Sequence, residues 1–305
     1  MHHNQPFMQN KYFAQLAALS ILWGATFLFT RVATPEIGPS LTAAGRIGLG
    51  AATLAVIMAL TRQRWPWEHW RALTVLAALS IAGPHFLFAW SSQYLPAGYS
   101  AVLSVTSVMF GTFTSAWLRE DTLTRSKVFG CIAGFAGVAL VVQLGPMRPT
   151  TELVAAALIA ICGSALSGSS APLLKRATKK MEPLAITAAM HVLAFGMLLP
   201  SALWTWPEAH FTAGAVASVA IMGIFTSGLA YWQYMRIVQK VSPVAALSST
   251  FMATISGIVW GHLALDEEFT GTTYVGGLLV LSATVLVTGF NPWRRQIPPP
   301  DPSRL

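Results

Sequence analysis

The chain has 305 residues, 54% of them apolar and only 10% charged, and its mean hydropathy is +0.57. Soluble domains carry about 25% charged residues, so a water-soluble globule is excluded and lipid is the expected solvent. The net charge of +8 raises the question of a polyanionic partner, which the position of the basic residues answers.

A helix crosses a hydrocarbon core roughly 30 Å thick with about 20 apolar residues. Ten such stretches lie between turn signals: 12–32, 39–61, 72–94, 97–118, 126–145, 152–174, 183–204, 211–236, 243–264 and 272–291. The expected fold class is therefore an all-α integral membrane protein with ten transmembrane helices. The first stretch is too long for a signal-peptide core and has no clear cleavage site, so it is predicted as a span. Pro39, Pro96, Pro183 and Pro243 stand at helix starts, where a missing N–H costs nothing.

Polar groups inside a bilayer cost free energy unless paired or wet, which makes them functional candidates. Span 2 carries Arg46, placed to hold a substrate carboxylate or, as a structural charge, to pair with helix-end carbonyls or snorkel outward. In span 3, His85 follows Pro84, whose missing N–H frees a carbonyl in the preceding turn for His85 or a ligand. Trp90 lies further along the same span, and Tyr99 opens span 4. Span 4 then presents Ser100, Ser104, Ser107 and Gly111 as one stripe, whose counterpart is in span 9, and span 6 adds Gly163, Ser164, Ser167 and Gly168. Tyr231, Trp232, Gln233 and Tyr234 form a dense aromatic and amide cluster in span 8, and span 9 shows Thr250, Ala253, Gly257 and Gly261. The small residues have a second reading, close helix packing. The substrate-cavity candidates are His85, Trp90, Tyr99, Ser104, Ser164, Tyr231, Trp232, Gln233 and Thr250.

If the spans alternate from an inside amino terminus, 16 of the 19 basic residues fall inside, while five acidic residues lie inside and six outside. A bias in Lys and Arg alone orients a membrane protein. The charge thus requires no nucleic-acid partner, and both termini are expected on the cytoplasmic side of an inner membrane.

"LREDTLTRSKVFG" at Leu118–Gly130 is echoed by "LDEEFTGTTYVGG" at Leu265–Gly277, and a shift of 146 residues aligns Thr124 with Thr270 and Gly130 with Gly276. "LTAAGR" from Leu41 resembles "ITAAMH" from Ile186, so His191 stands where the repeat would place Arg46. Helices 1–5 and 6–10 read as a duplication. Because five is odd, the second copy is inverted, as in secondary transporters whose substrate site lies between two opposed halves. The expected divisions are a first repeat at 1–148, an inverted repeat at 149–293 and a disordered cytoplasmic tail at 294–305.

"WGATF" at Trp23–Phe27, the "AAGR" ending at Arg46 and the paired corners resemble the drug/metabolite transporter superfamily, and within it the ten-helix EamA-type exporters. The branch that exports amino acids, aromatic ones included, is the most similar. The resemblance implies helices 1, 3, 4, 6, 8 and 9 around a central cavity, with helices 5 and 10 set apart.

None of the eleven acidic residues lies in the interior of a span, which argues against a cycle driven strongly by sodium or protons through intramembrane carboxylates. No phosphate-binding G-x-x-x-x-G-K-[ST] loop is present. Cys131 and Cys162 fall within spans and read as small core residues, without a disulfide framework. No metal site, cofactor or catalytic group is expected, and the chain is expected to be a monomer that handles a small-molecule substrate within the lipid bilayer. The leading expectation is an amino-acid exporter working by alternating access. The alternatives are a multidrug or nucleotide-derivative carrier of the same fold and a membrane-embedded enzyme.

Overall fold

The computed structural model describes residues 9–95, 97–142, 150–265 and 271–288, and within them all regular structure is helical. The Asp266–Glu268 corner, the tail 294–305 and the side chain of Tyr99 lie outside the described residues.

Helix α1 runs Asn10–Leu60 and takes in the first two predicted spans without a loop. It breaks at Gly38, where φ is 78° and ψ 162°, with Pro35 and Pro39 on either side. Only glycine adopts that left-handed φ without strain. The two arms, 10–37 and 39–60, therefore meet at a kink of a single residue.

Next, α2 (Trp70–Ala77), a π-helical turn at Ala78–Ala82 and α3 (Gly83–Ser91) form one continuous run. Four helices follow: α4 (Ala97–Trp117), α5 (Arg125–Val142), α6 (Thr151–Thr178) and α7 (Pro183–Thr205). A second interrupted run joins α8 (Ala213–Ile221), a π-helical segment at Met222–Ala230 and α9 (Tyr231–Val238). The described chain ends with α10 (Pro243–Leu247), α11 (Ser249–Leu265) and α12 (Gly271–Thr288). Hydroxyl caps start several of these helices: Thr150 accepts from Leu153 N, Thr212 from Ala215 N and Ser242 from Ala245 N.

Among the described residues, six runs are long and apolar enough to cross a membrane: Asn10–Thr30, Val32–Leu60, Trp67–Ser91, Thr151–Thr178, Pro183–Glu208 and Ala213–Val238. The outward surface of the helices is apolar, and Trp117 of α4 and Trp204 of α7 are 81% and 87% exposed. So large an exposed apolar area is compatible with lipid and not with water.

Packing follows the small residues. Helix α4 lies against α6, and the first arm of α1 lies against α11. A β-carbon on Gly168 would stand 2.1 Å from the Ser107 carbonyl oxygen, and one on Gly24 would stand 2.6 Å from the Gly257 nitrogen. Backbones this close leave no room for side chains, which is what serine and glycine stripes permit. Helices α5 and α12 pair with each other, and the second arm of α1 packs on α7 and the second π segment. Cys131 is buried as expected, whereas Cys162 is exposed on α6, so the core placement holds for one cysteine only.

Candidate functional site

The two π-helical segments bring the polar groups of the interior together. A π turn holds one more residue than an α turn and so redirects the side chains around it. Tyr231 begins α9 directly after the second segment, and Ser80 of the first segment lies beside its phenol. The ring of His191, from α7, packs edge-on against Tyr231 with centroids 5.1 Å apart. Tyr231 meets Tyr234 at 5.9 Å, and Tyr234 meets Trp23 of α1 at 5.2 Å. Four rings thus run without a gap through the interior, and Trp23 Nε1 donates to the Thr226 carbonyl at 3.3 Å.

Arg46 joins this cluster from the second arm of α1. Its Nε donates to Ser227 Oγ at 3.1 Å and its Nη2 to Thr226 Oγ1 at 3.2 Å. These partners are hydroxyls in the middle of a run, not the helix-end carbonyls or the bilayer surface expected from the sequence. Thr226 passes the bond on, donating to the Met222 carbonyl at 2.6 Å. An arginine at the centre of a membrane helix costs about 2.5–3.5 kcal/mol on insertion scales. Two hydrogen bonds to a charged group return about 1.5–3 kcal/mol each, enough to offset that cost.

Both histidines are oriented in the same way. His85 Nδ1 is 2.7 Å from the Ile81 carbonyl and His191 Nδ1 is 2.8 Å from the Thr187 carbonyl. A carbonyl can only accept, so each Nδ1 donates a proton to it. His191 is fully buried, and its Nε2 has no partner within hydrogen-bond geometry, although the Ser227 backbone lies close.

The remaining sequence candidates disperse. Trp90 stacks obliquely on Tyr94 at 5.0 Å. Trp232 lies under the Arg236 guanidinium, which also donates to Gln233. Ser164 is fully buried and donates to the Leu103 carbonyl at 2.8 Å, tying α6 to α4. Ser104 is partly buried on α4, and the Thr250 carbonyl accepts from Thr254. Of the candidates, Tyr231 lies in the ring cluster with His191, Tyr234 and Trp23, next to the Thr226 and Ser227 hydroxyls that hold Arg46, while His85 is held by the Ile81 carbonyl. Two surface pockets, of about 450 Å³ lined by Thr150, Thr151, Val154, Ala155 and Leu158 and about 420 Å³ lined by residues 68–72, contain none of these groups.

At one end of the bundle, the last turn of α6 binds two other elements. Lys175 Nζ donates to the carbonyls of Val238, Gln239 and Val241 at 2.7–2.9 Å. Arg176 and Lys179 both donate to Glu120, at 2.8 and 2.7 Å, and Arg176 also reaches the Leu118 carbonyl. Burial would push the Glu120 carboxyl up, but the hydrogen bonds and charges of Lys179 and Arg176 outweigh it and hold it below the usual carboxylate range. The adjoining corner is fixed by a buried ion pair between Lys127 and Asp121. Among the described residues, no three His, Cys, Asp or Glu side chains converge as a metal site would require.

The model of the EamA-like transporter family matches this chain twice, over residues 12–143 and 154–289. The chain is 30% identical over 278 residues to the uncharacterized transporter YvbV of Bacillus subtilis (strain 168), covering 89% of this chain and 90% of the relative. It is 20% identical over 290 residues to the uncharacterized transporter YoaV of the same organism, covering 92% and 98%. A solved crystal structure superposes on 92% of this chain and 99% of its own, with a TM-score of 0.78 at 17% identity, and so shares the fold.

Proposed function

The chain belongs to the EamA-like transporter family, within the drug/metabolite transporter superfamily of multi-pass membrane proteins, and on that premise we propose that it exports amino acids, aromatic ones included, from the cytoplasm. The export runs by alternating access between two inverted five-helix repeats, residues 1–148 and 149–293, in the inner membrane with both termini inside. The ten spans of this reading correspond to the two arms of α1, the run α2–α3, α4, α5, α6, α7, the run α8–α9, α10–α11 and α12.

The exchange of packing partners between the halves carries this proposal. Exchanging the halves turns the α4–α6 contact into α11 on the first arm of α1, and it returns α5–α12 to itself. A shift of 146 residues carries the π turn at 78–82 onto 224–228, inside the second π segment at Met222–Ala230. The same shift carries His85 onto Tyr231. Two equivalent halves can rock in two mirror-related ways about whatever lies between them. What lies between them here is a set of rings, hydroxyls and imidazoles with one guanidinium, which suits a small zwitterion. The α6 latch to Glu120 and to the 238–241 turn would then close the cytoplasmic mouth and release when substrate enters.

The test is transport by the purified protein in liposomes loaded with a panel of radiolabelled amino acids. Counterflow of at least one aromatic amino acid above protein-free liposomes is the expected result. No movement of any panel member would remove the amino-acid assignment.

A further inference from the structure

We infer that the surface around the start of α2 is a binding site for one anionic phospholipid, whose phosphate sits on Arg71 and whose acyl chains lie along α2. The inference is independent of which solute the protein carries. The segment from the end of α1 to the start of α2 reads "TRQRWPWEHWR" at Thr61–Arg71 and sets three arginines against one carboxylate. It adjoins the apolar run Trp67–Ser91, so it stands where the headgroups of a bilayer meet a spanning helix. Arg62, Arg64 and Arg71 are all exposed. Among the described residues, no ion pair includes any of the three. The Glu68 carboxylate stands 3.8 Å from His69 Nε2 instead.

The site is built before any lipid arrives. Gln63 N donates to the Met58 carbonyl at 3.1 Å and His69 N to the Pro66 carbonyl at 3.0 Å, which fixes the path of the segment. Trp65 packs on the buried cluster of Leu54, Met58 and Leu184, and Trp67 stacks on Trp65 with centroids 5.2 Å and planes 1° apart. Beside this stack opens the cavity of about 420 Å³ lined by Glu68, His69, Trp70, Arg71 and Ala72. The Arg71 guanidinium lies 5.5 Å from the centroid of the Trp70 ring, a cation–π contact that positions the cation without neutralising it. A guanidinium fork matches two phosphate oxygens. Trp70 is 53% exposed and Val75 52%, and Ala72, three residues before Val75, is exposed as well. Residues three apart share a helix face, so an apolar lane leaves the cavity along α2. Phosphate above and hydrocarbon below describes a phospholipid, whereas a free phosphate would satisfy only the upper half.

The test titrates delipidated, detergent-purified protein with phosphatidylglycerol or with phosphatidylethanolamine of the same acyl chains, and counts bound lipids by native mass spectrometry. The wild-type protein is expected to bind its first phosphatidylglycerol at least about tenfold more tightly than phosphatidylethanolamine. Arg71→Gln should reduce that preference about fivefold, the share of one arginine near a membrane surface. Arg125→Gln removes the same charge at the start of α5 and should leave the preference within about twofold. Glycerol 1-phosphate, the headgroup chemistry without the chains, should not displace the lipid. Phosphatidylglycerol should also raise the wild-type melting temperature above its value with phosphatidylethanolamine, a readout that stands even where the Arg71 variant does not fold. Equal losses in the two variants would mean diffuse attraction to net charge and overturn the site. Displacement by glycerol 1-phosphate overturns the lipid in favour of a small phosphate. Equal binding of the two lipids, or equal melting temperatures with them, overturns the inference altogether.

Discussion

Replacing Gly168 by alanine would set a methyl group 2.1 Å from the Ser107 carbonyl oxygen, and that oxygen belongs to backbone that cannot swing aside. Helices α4 and α6 would have to part, an overpacking cost of about 1–3 kcal/mol. At Gly196, also inside a helix, an added β-carbon meets nothing within 4 Å, and alanine gains up to about 1 kcal/mol in helix propensity. Melting temperatures of the two variants in detergent should therefore move apart, Gly168→Ala downward and Gly196→Ala level or upward. The stripe containing Gly168 was visible in the sequence, but its neighbour was not, because Ser107 and Gly168 are 61 residues apart. The site shows the same limit. Pro84 and His85 announced themselves as oddities within an apolar run. Thr226 and Ser227 did not, since hydroxyls are common in membrane helices and only the fold brings Arg46 to them. His191 had one signal, its position opposite Arg46 in the repeat, which registered as a departure from pattern.

For helices, the last turn of α6 is the clearest case of one element governing others. Its contacts with Glu120 are half exposed on the basic side, with Arg176 and Lys179 at 45% and 57%, so each ion pair contributes at most about 1 kcal/mol. Glu120→Gln is accordingly expected to lower the melting temperature only slightly. If the latch closes the cytoplasmic mouth, the same variant should raise the rate of substrate exchange in liposomes, and an unchanged or slower rate would refute that role. The pH dependence follows from the depressed carboxyl of Glu120. A group whose folded pKa lies below its unfolded value stabilises the fold above the unfolded value, near 4.3, and loses that contribution as pH falls through the folded value. The Glu120 contribution should be complete above the unfolded value and fall away only as pH drops below it, read as the melting temperature of wild type against Glu120→Gln, while the Lys175 contacts, made by an ammonium whose pKa burial lowers to about 8, should weaken as pH rises past that value. Helix positions were legible because long apolar runs leave little choice in a bilayer. The π segments were not, since hydropathy is uniform around such runs and carries no record of an extra residue per turn.

On the scale of the whole chain, the proposed inversion of the two halves predicts the sidedness of the two echoing corners. In a background without Cys131 and Cys162, Leu123→Cys should resist a membrane-impermeant maleimide in intact cells and Glu267→Cys should react. Labelling of both from one side would overturn the inverted arrangement. The first predicted loop, between stretches 12–32 and 39–61, does not exist as a loop. Gly38 joins the two arms of α1 with no intervening residues. A hinge usually spreads its rotation over several linker torsions. In the proposed rocking, the φ and ψ of residue 38 would carry nearly the whole angular displacement of one arm against the other, so the first half could move only as far as a single unbranched α-carbon can turn.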